Sequence, residues 1–204
     1  MATMGEAGDF GPLQPLRPLL DAVECPWYVA GGWAIDLFLG AVTRPHADID
    51  VLVFREHQEQ LRHRLPIHRL HKIVPAPGGG IEEPWLPGDV LELPVHQLRA
   101  RTAQVDFDIF LADSVGAMWV YRRDTRIARL KADIGGRSPV GIPFLVPEIV
   151  LLFKARNPAP KDDADFSRVA PRLSRHSQRW LLTALQTAHP ASPWIAALKN
   201  LTER

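Results

Sequence analysis

Cysteine, net charge and long apolar runs are what this sequence has least of. Its one cysteine, Cys25, excludes an intramolecular disulfide and fits a reducing compartment. Cys25 directly precedes Pro26 and an apolar stretch, which favours a buried structural thiol over a nucleophile. Lys plus Arg (24) nearly balance Asp plus Glu (23), for a net charge of +1. A surface devoted to long nucleic acid normally carries a marked basic excess, so that partner is disfavoured. A local basic pocket for one triphosphate remains open. No apolar run approaches membrane-spanning length, and the N-terminus lacks a basic start followed by an apolar core. The expectation is a soluble, cytoplasmic protein without a membrane partner. Internal repeats, Cys/His metal patterns and Ser-centred nucleophile motifs are also missing. What is present is a chain of 204 residues, 46% hydrophobic, enough for one ordinary domain or a small catalytic domain with a helical appendix.

The chain is organised around Val29-Ala30-Gly31-Gly32-Trp33-Ala34-Ile35-Asp36, continuing through Thr43-Arg44-Pro45-His46 to Ala47-Asp48-Ile49-Asp50-Val51-Leu52-Val53. It reads as strand, Gly-Gly turn, short helix, loop and a second strand carrying two acids. Two glycines after an apolar strand let the backbone turn tightly and approach a phosphate, with helix-start N–H groups available to an anion. Residues two apart on a strand face the same way, so Asp48 and Asp50 project together. Neighbouring carboxylates repel, and both stay ionised most easily around a cation. Hard ions such as Mg²⁺ take such oxygen ligands together with substrate phosphates. The joint reading is a metal–nucleotide site.

A second pair of acids lies in Gln104-Val105-Asp106-Phe107-Asp108-Ile109-Phe110-Leu111, where Asp106 and Asp108 share one strand face. Acids in so apolar a strand are costly to bury without a partner. The order Gly31-Gly32, then Asp48-x-Asp50, then a later strand acid resembles the nucleotidyltransferase superfamily related to DNA polymerase β. More narrowly, Gly31 to Asp36 with Thr43-Arg44-Pro45-His46-x-Asp48-Ile49-Asp50 is similar to aminoglycoside adenylyltransferase-like proteins and their lincosamide-modifying relatives, over residues 25 to 185. The resemblance implies Asp48 and Asp50 as metal ligands and a third carboxylate that ligates metal or acts as general base. Asp106 and Asp108 both match the spacing. Asp108 is preferred because its flanks look more central, with Asp106 in reserve.

The remaining chain falls into place around these motifs. Residues 1–11 are small and polar and read as a loose tail. Leu13, Leu16, Leu19, Leu20 and Val23 recur at helical spacing. Within the helix after Gly32, Asp36 reads as a solvated acid or a partner for Arg44. Arg44 itself pairs with Asp36 or with a phosphate, and the resemblance leans towards the site; His46 is left unassigned. From Pro66 to Pro94 the chain is rich in Pro and Gly, with Glu82, Glu83, Asp89 and Glu92 beside Trp85. Such a loop can hold a polycationic acceptor, although a solvated acidic loop is the commoner meaning. Trp119 to Asp124 reads as a strand ending in charge; its Arg122-Arg123 pair resembles that of the same family, with a structural role, an acceptor-loop contact and phosphate binding all open.

Pro147 suits the first turn of an apolar helix over Ile149–Ala155 that ends in Lys154 and Arg156. Lys154-Ala155-Arg156 followed by Lys161-Asp162-x-x-Asp165 is similar to a pattern in nucleotidyltransferase toxins and antibiotic-modifying families. There a helix lysine approaches the triphosphate and the Lys-Asp segment shapes the pocket. Asp162 and Asp165 at a helix start are also ordinary favourable acids. After Arg168, Leu and Trp at helical spacing, broken by Pro171, Pro190 and Pro193, give a helical bundle with Trp180 and Trp194 in its core.

The expected fold is therefore α+β, a mixed central sheet flanked by helices, divided into a tail (1–11), a catalytic nucleotidyltransferase domain (12–146) and a packed C-terminal helical region (147–204). The resemblance implies a phosphate-binding turn at Gly31 and Gly32, and nucleotide contacts from Arg44, Lys154 and Lys161. It also implies Mg²⁺, as two ions, and ATP as donor. The leading activity is transfer of AMP to a hydroxyl of an aminoglycoside-like small molecule, by a monomer or a homodimer. Alternatives are a toxin modifying tRNA or protein, and a non-catalytic nucleotide-binding module, which the intact acids argue against.

Overall fold

The computed structural model describes residues 9–65 and 69–203. Residues 1–8 of the anticipated tail, and Pro66 to His68, lie outside the described residues. Phe10, assigned to that tail by its polar neighbours, is buried 6.4 Å from the Trp33 ring.

Ten strands build one sheet. Its main path runs β4(Gly79–Pro84), β3(Leu70–Ala76), β5(Gln97–Arg101), β6(Asp106–Val115), β2(Asp50–Phe54), β1(Trp27–Val29), β10(Pro143–Leu145) and β9(Gly135–Arg137). From the end of β6 the sheet branches into β7(Met118–Val120) and β8(Ala128–Leu130). The β2/β6 and β1/β10 pairs are parallel and the others antiparallel, so the sheet is mixed, as the sequence leads one to expect. The Pro- and Gly-rich stretch forms the β3–β4 hairpin, closed at Ala76–Gly79 around Gly78 at φ +85°.

Seven α-helices complete the described residues: α1(Leu16–Leu20), α2(Gly31–Leu39), α3(Gln58–Arg64), α4(Pro147–Lys154), α5(Pro160–Val169), α6(Arg175–Ala188) and α7(Trp194–Thr202). Each of the last four begins at a recognisable stop or start in the sequence. Pro147 and Pro160 occupy the first turns of α4 and α5, and Ser174 caps α6 by accepting from the Ser177 N–H at 3.1 Å. Helix α2 packs on α4 and α5, and α4 on α6. Phe166 and Trp194 stack with ring centroids 4.6 Å apart, fastening α7 to α5. No described helix is long and apolar enough to cross a membrane.

Alternation along the two central strands places the site. Val51, Val53, Ile109 and Leu111 are buried on one face of β2 and β6. Asp50, Leu52 and Phe54 share the other with Asp108, Phe110 and Ala112. Acids at the leading ends of both strands and hydrophobes behind them make a sheet face with a charged mouth and an apolar interior.

Candidate active site

Two positions of the Gly-Gly–Asp-x-Asp motif differ from their expected settings. The β2 ladder begins at Asp50, so Asp48 sits in the exposed segment just before the strand rather than within it. Gly31 and Gly32 do not form a turn ahead of the helix; they are its first two residues, following Ala30 at the N-cap. Gly31 adopts φ +58°, and a Cβ there would fall on the Asp50 carboxylate. A Cβ on Gly32 would meet the Arg44 guanidinium and the His46 ring. Close approach thus requires both glycines. The unpaired N–H groups of the first turn of α2 open beside Asp50 as a consequence.

Register brings the second strand's acid to the first. Asp50 and Asp108 lie directly abreast in the parallel β2/β6 pair, and the Asp108 N–H bonds the Ile49 carbonyl at 2.9 Å. Asp106 is one pleat further out, beyond the end of β2 and opposite Arg101 of β5. Burial pushes the Asp50 carboxyl up to about 6, and the charges of Asp48 and Asp108 push the same way, against the longer-range pull of Lys154 and Lys161. Asp108 is gripped from β5: Arg99 Nε donates to Oδ1 at 2.9 Å, Arg99 Nη2 to Oδ2 at 3.1 Å and Gln97 Nε2 to Oδ2 at 2.9 Å. Among the described residues no three acid, His or Cys side chains are already gathered into a metal cage. Asp50 nonetheless faces two other carboxylates without an adjacent cation, which is the donor chemistry a hard divalent ion takes.

Behind this mouth lies a chain of paired charges. Asp36 is fully buried, not solvated, and its partners are Thr43 Oγ1 (2.6 Å) and His46 Nε2 (2.6 Å) rather than Arg44. Burial alone would raise the Asp36 carboxyl, but these hydrogen bonds hold it below the ordinary carboxylate value. Arg44 has only donors, so the 3.0 Å contact between its Nη1 and His46 Nδ1 makes His46 an acceptor there and a donor to Asp36. Arg44 then forks onto Asp165, at 3.3 Å from Nε and 3.0 Å from Nη2. Lys154 closes the chain on Asp162 and, at 3.2 Å, on Asp165. Arg44 and Lys154 reach the site with their charge already matched, while Lys161 is exposed at the start of α5.

A cavity of about 260 Å³ runs from the mouth along the apolar interior. Gly31, Asp50 and Lys154 stand at one end; Leu52, Phe110, Trp119 and Phe153 form walls; Arg122 and Arg123 also line it. Sequence reading left the roles of this arginine pair open, because two arginines at a strand end usually lie in solvent. Here both are half-buried. The acidic loop is altered in the opposite direction. Glu82 is held by Arg99 and Arg101, Asp89 by Lys72 at 2.9 Å, and Trp85 is buried with the Arg62 guanidinium over its ring. Trp85 and two of the four acids expected of a polycation cradle are therefore used internally, while Glu83 and Glu92 stay exposed.

Residues 13–72 match the sequence family described as aminoglycoside-2''-adenylyltransferase, a span that includes Gly31, Gly32, Arg44, Asp48 and Asp50. The solution structure of the antibiotic-resistance factor ANT(2'')-Ia superposes with a TM-score of 0.54 at 16% identity, over 94% of this chain and 97% of that one. The lincomycin-bound lincosamide antibiotic adenylyltransferase LnuA gives 0.50 at 17% identity, over 79% of this chain and 96% of that one. The fold is that of the nucleotidyltransferases. No curated protein sequence matches the chain.

Within this nucleotidyltransferase fold, the structure draws Gly31, Asp50, Asp108 and Lys154 together, with Asp48 and Lys161 near enough to act on the Asp50 charge. Arg44 approaches through Gly32 and is turned towards Asp165. Arg99 and Gln97, which hold Asp108, went unnoticed in the sequence. Their one available signal was the polar alternation Gln97, Arg99, Arg101 on a strand next to the acid strand.

Proposed function

We propose that this protein is a metal-dependent nucleotidyltransferase that moves AMP from ATP to a hydroxyl of a small antibiotic-like molecule. The observation that carries the reading is Asp50 abreast of Asp108, with Asp48 adding charge and the carboxyl of Asp50 pushed up to about 6. Asp48 and Asp50 would hold Mg²⁺, with Asp108 as third ligand or general base. Bound there, the ion would neutralise charge on the transferred phosphoryl group and the departing pyrophosphate.

The chain's own residues supply the rest. The first turn of α2, opened by Gly31 and Gly32, presents N–H groups to a phosphate at the same mouth. Lys154 and Lys161 add positive charge there. The acceptor hydroxyl attacks the α-phosphorus, its oxygen forms the new P–O bond, and pyrophosphate leaves with the electron pair of the broken one. With Asp108 as general base, the hydroxyl proton passes to its carboxylate, whose orientation Arg99 and Gln97 fix; as third ligand it would instead help hold the ion. Positioning and charge stabilisation supply the rate, as in phosphoryl transfer generally.

The antibiotic class rests on the relatives: one is lincomycin-bound, and the matching family is described as acting on aminoglycosides. The half-buried Cys25 thiol, raised by burial to about 11, is inert and suits the cytoplasm. Incubation with ATP, Mg²⁺ and a panel of lincosamides and aminoglycosides, read by mass spectrometry, should show one acceptor gaining a single nucleoside monophosphate. Asp108→Asn should lose that product while still binding ATP. Absence of both product and pyrophosphate across the panel would sink the small-molecule reading.

A further inference from the structure

Most half-buried arginines of this protein meet a carboxylate: Arg44 with Asp165, Arg55 with Asp113, Arg99 with Asp108 and Arg129 with Glu148. Arg122 has no hydrogen bond or ion pair among the described residues, although it is half-buried and lines the cavity that opens at Asp50. Beside it, Arg123 donates from Nη1 to the Phe153 carbonyl at 2.9 Å, while its buried Nε has no partner. Arg123 is also a wall of a second recess, of about 390 Å³, shared with Arg156, Ala188 and His189. Arg156 is exposed and likewise meets no acid among the described residues. Asp113 lines the same cavity as Arg122 and draws on its charge; its Oδ1 accepts from Arg55 at 2.6 Å, while its buried Oδ2 has no partner. Burial, then the charges of Arg123 and Arg156, hold the Arg122 guanidinium below its ordinary value. Arg123 joins the two recesses, and Arg55, Arg122, Arg123 and Arg156 together outnumber the one carboxylate of Asp113, an excess of like charge that an anion from outside stabilises.

We infer that Arg122, Arg123 and Arg156 form an anion-binding subsite that takes a phosphate group, separate from the carboxylate mouth at Asp50. The group comes either from the β,γ-phosphates of the donor nucleotide or from an anionic substituent of the acceptor. That division of roles rests on the proposed transfer reaction; the subsite itself does not. Arg123 fixes the cluster through the Phe153 carbonyl and Arg122 lies over the Phe153 ring at 5.9 Å, leaving the N–H groups of Arg122 and Arg156 for the ligand.

Calorimetric titration of inorganic pyrophosphate in metal-free buffer tests it, because without a divalent ion the acids at the mouth repel that anion. The wild type should bind, and Arg122→Ala and Arg156→Ala should each weaken binding about tenfold, as for loss of one charge-assisted contact. Arg156 is exposed, so its variant keeps the test alive if Arg122→Ala fails to fold. Failure of the wild type to bind, or binding as tight as the wild type's in both variants, would overturn the inference. Repeating the titration with ATP and Mg²⁺ separates the sources. A parallel loss of ATP affinity assigns the donor's phosphates to the subsite, and unchanged ATP affinity assigns the acceptor's anionic group. Because the first titration needs no turnover, the subsite stands or falls apart from the transferase reading.

Discussion

Two sets of three aspartates lie within this site, and they are treated in opposite ways. Asp36, Asp162 and Asp165 are almost wholly buried, and each lies against a cation or a hydrogen-bond donor: His46 and Thr43, Lys154, and Arg44 with Lys154. Asp48, Asp50 and Asp108 stand at the mouth of the cavity. Asp108 alone has a direct cationic partner, in Arg99. Burial and two like charges bear on Asp50, whose ionised form costs the fold about 3 kcal/mol at neutral pH on the scale of about 1.4 kcal/mol per pH unit. The first set ties α2 to α4 and α5. The second leaves negative charge unmatched at the place where a metal-bound nucleotide would bring positive charge. The structural aspartates are neutralised within the chain; Asp48 and Asp50, proposed here for the reaction, are left for a ligand to neutralise.

The sharpest way to break this comparison is to neutralise one member of each set. Asp50→Asn should lower transfer at least about 10³-fold, the scale of losing a group that stabilises transition-state charge. The same change should raise the stability of the metal-free protein by about 1–2 kcal/mol, because the raised carboxyl no longer has to be ionised. Steady-state kinetics and urea unfolding read the two effects, and a destabilised Asp50→Asn would remove the claim of unmatched charge. Asp165→Asn should do the reverse in stability, costing about 3 kcal/mol by stranding Arg44 and Lys154. A Tm unchanged by that substitution would mean the network is decorative.

Smaller effects sharpen the boundary between the sets. Gly31→Ala should cost about 1–2 kcal/mol, from its positive φ, and should displace the Asp50 carboxylate, so that activity falls more than stability. Equal loss of both would make Gly31 a purely structural residue. Glu82→Gln, on the exposed strand β4 beside Arg99, should change stability by less than about 1 kcal/mol and leave turnover near wild type. A large drop in turnover there would restore the acidic loop to the acceptor site.

What was legible beforehand follows the range of the interactions involved. Period-two alternation exposed Asp48, Asp50 and the Asp106/Asp108 pair, and proline punctuation exposed the starts of α4 and α7, because those signals are local. The sheet's mixed character came only from the family resemblance that the motif order carries. The choice of neighbour for Asp50 was hidden because it depends on the β2/β6 register, which joins residues far apart in sequence. Asp36 looked solvated because a single acid in a nine-residue helix does not reveal which elements will cover it; Thr43 and His46 return from the following loop to do so. Arg122 and Arg123 looked like a strand end because nothing local announces that Phe153 and α4 will close over them. The acidic loop misled for the same reason, its cations Arg99, Arg101 and Lys72 arriving from neighbouring strands.

The most direct test of the unmatched-charge account is a titration of ATP with and without Mg²⁺, comparing the wild type with the Asp48→Ala/Asp50→Ala double variant. The account predicts binding that requires Mg²⁺ in the wild type and is lost in the variant. ATP binding that ignores both the metal and the two substitutions, or no binding by the wild type at millimolar ATP, would contradict it.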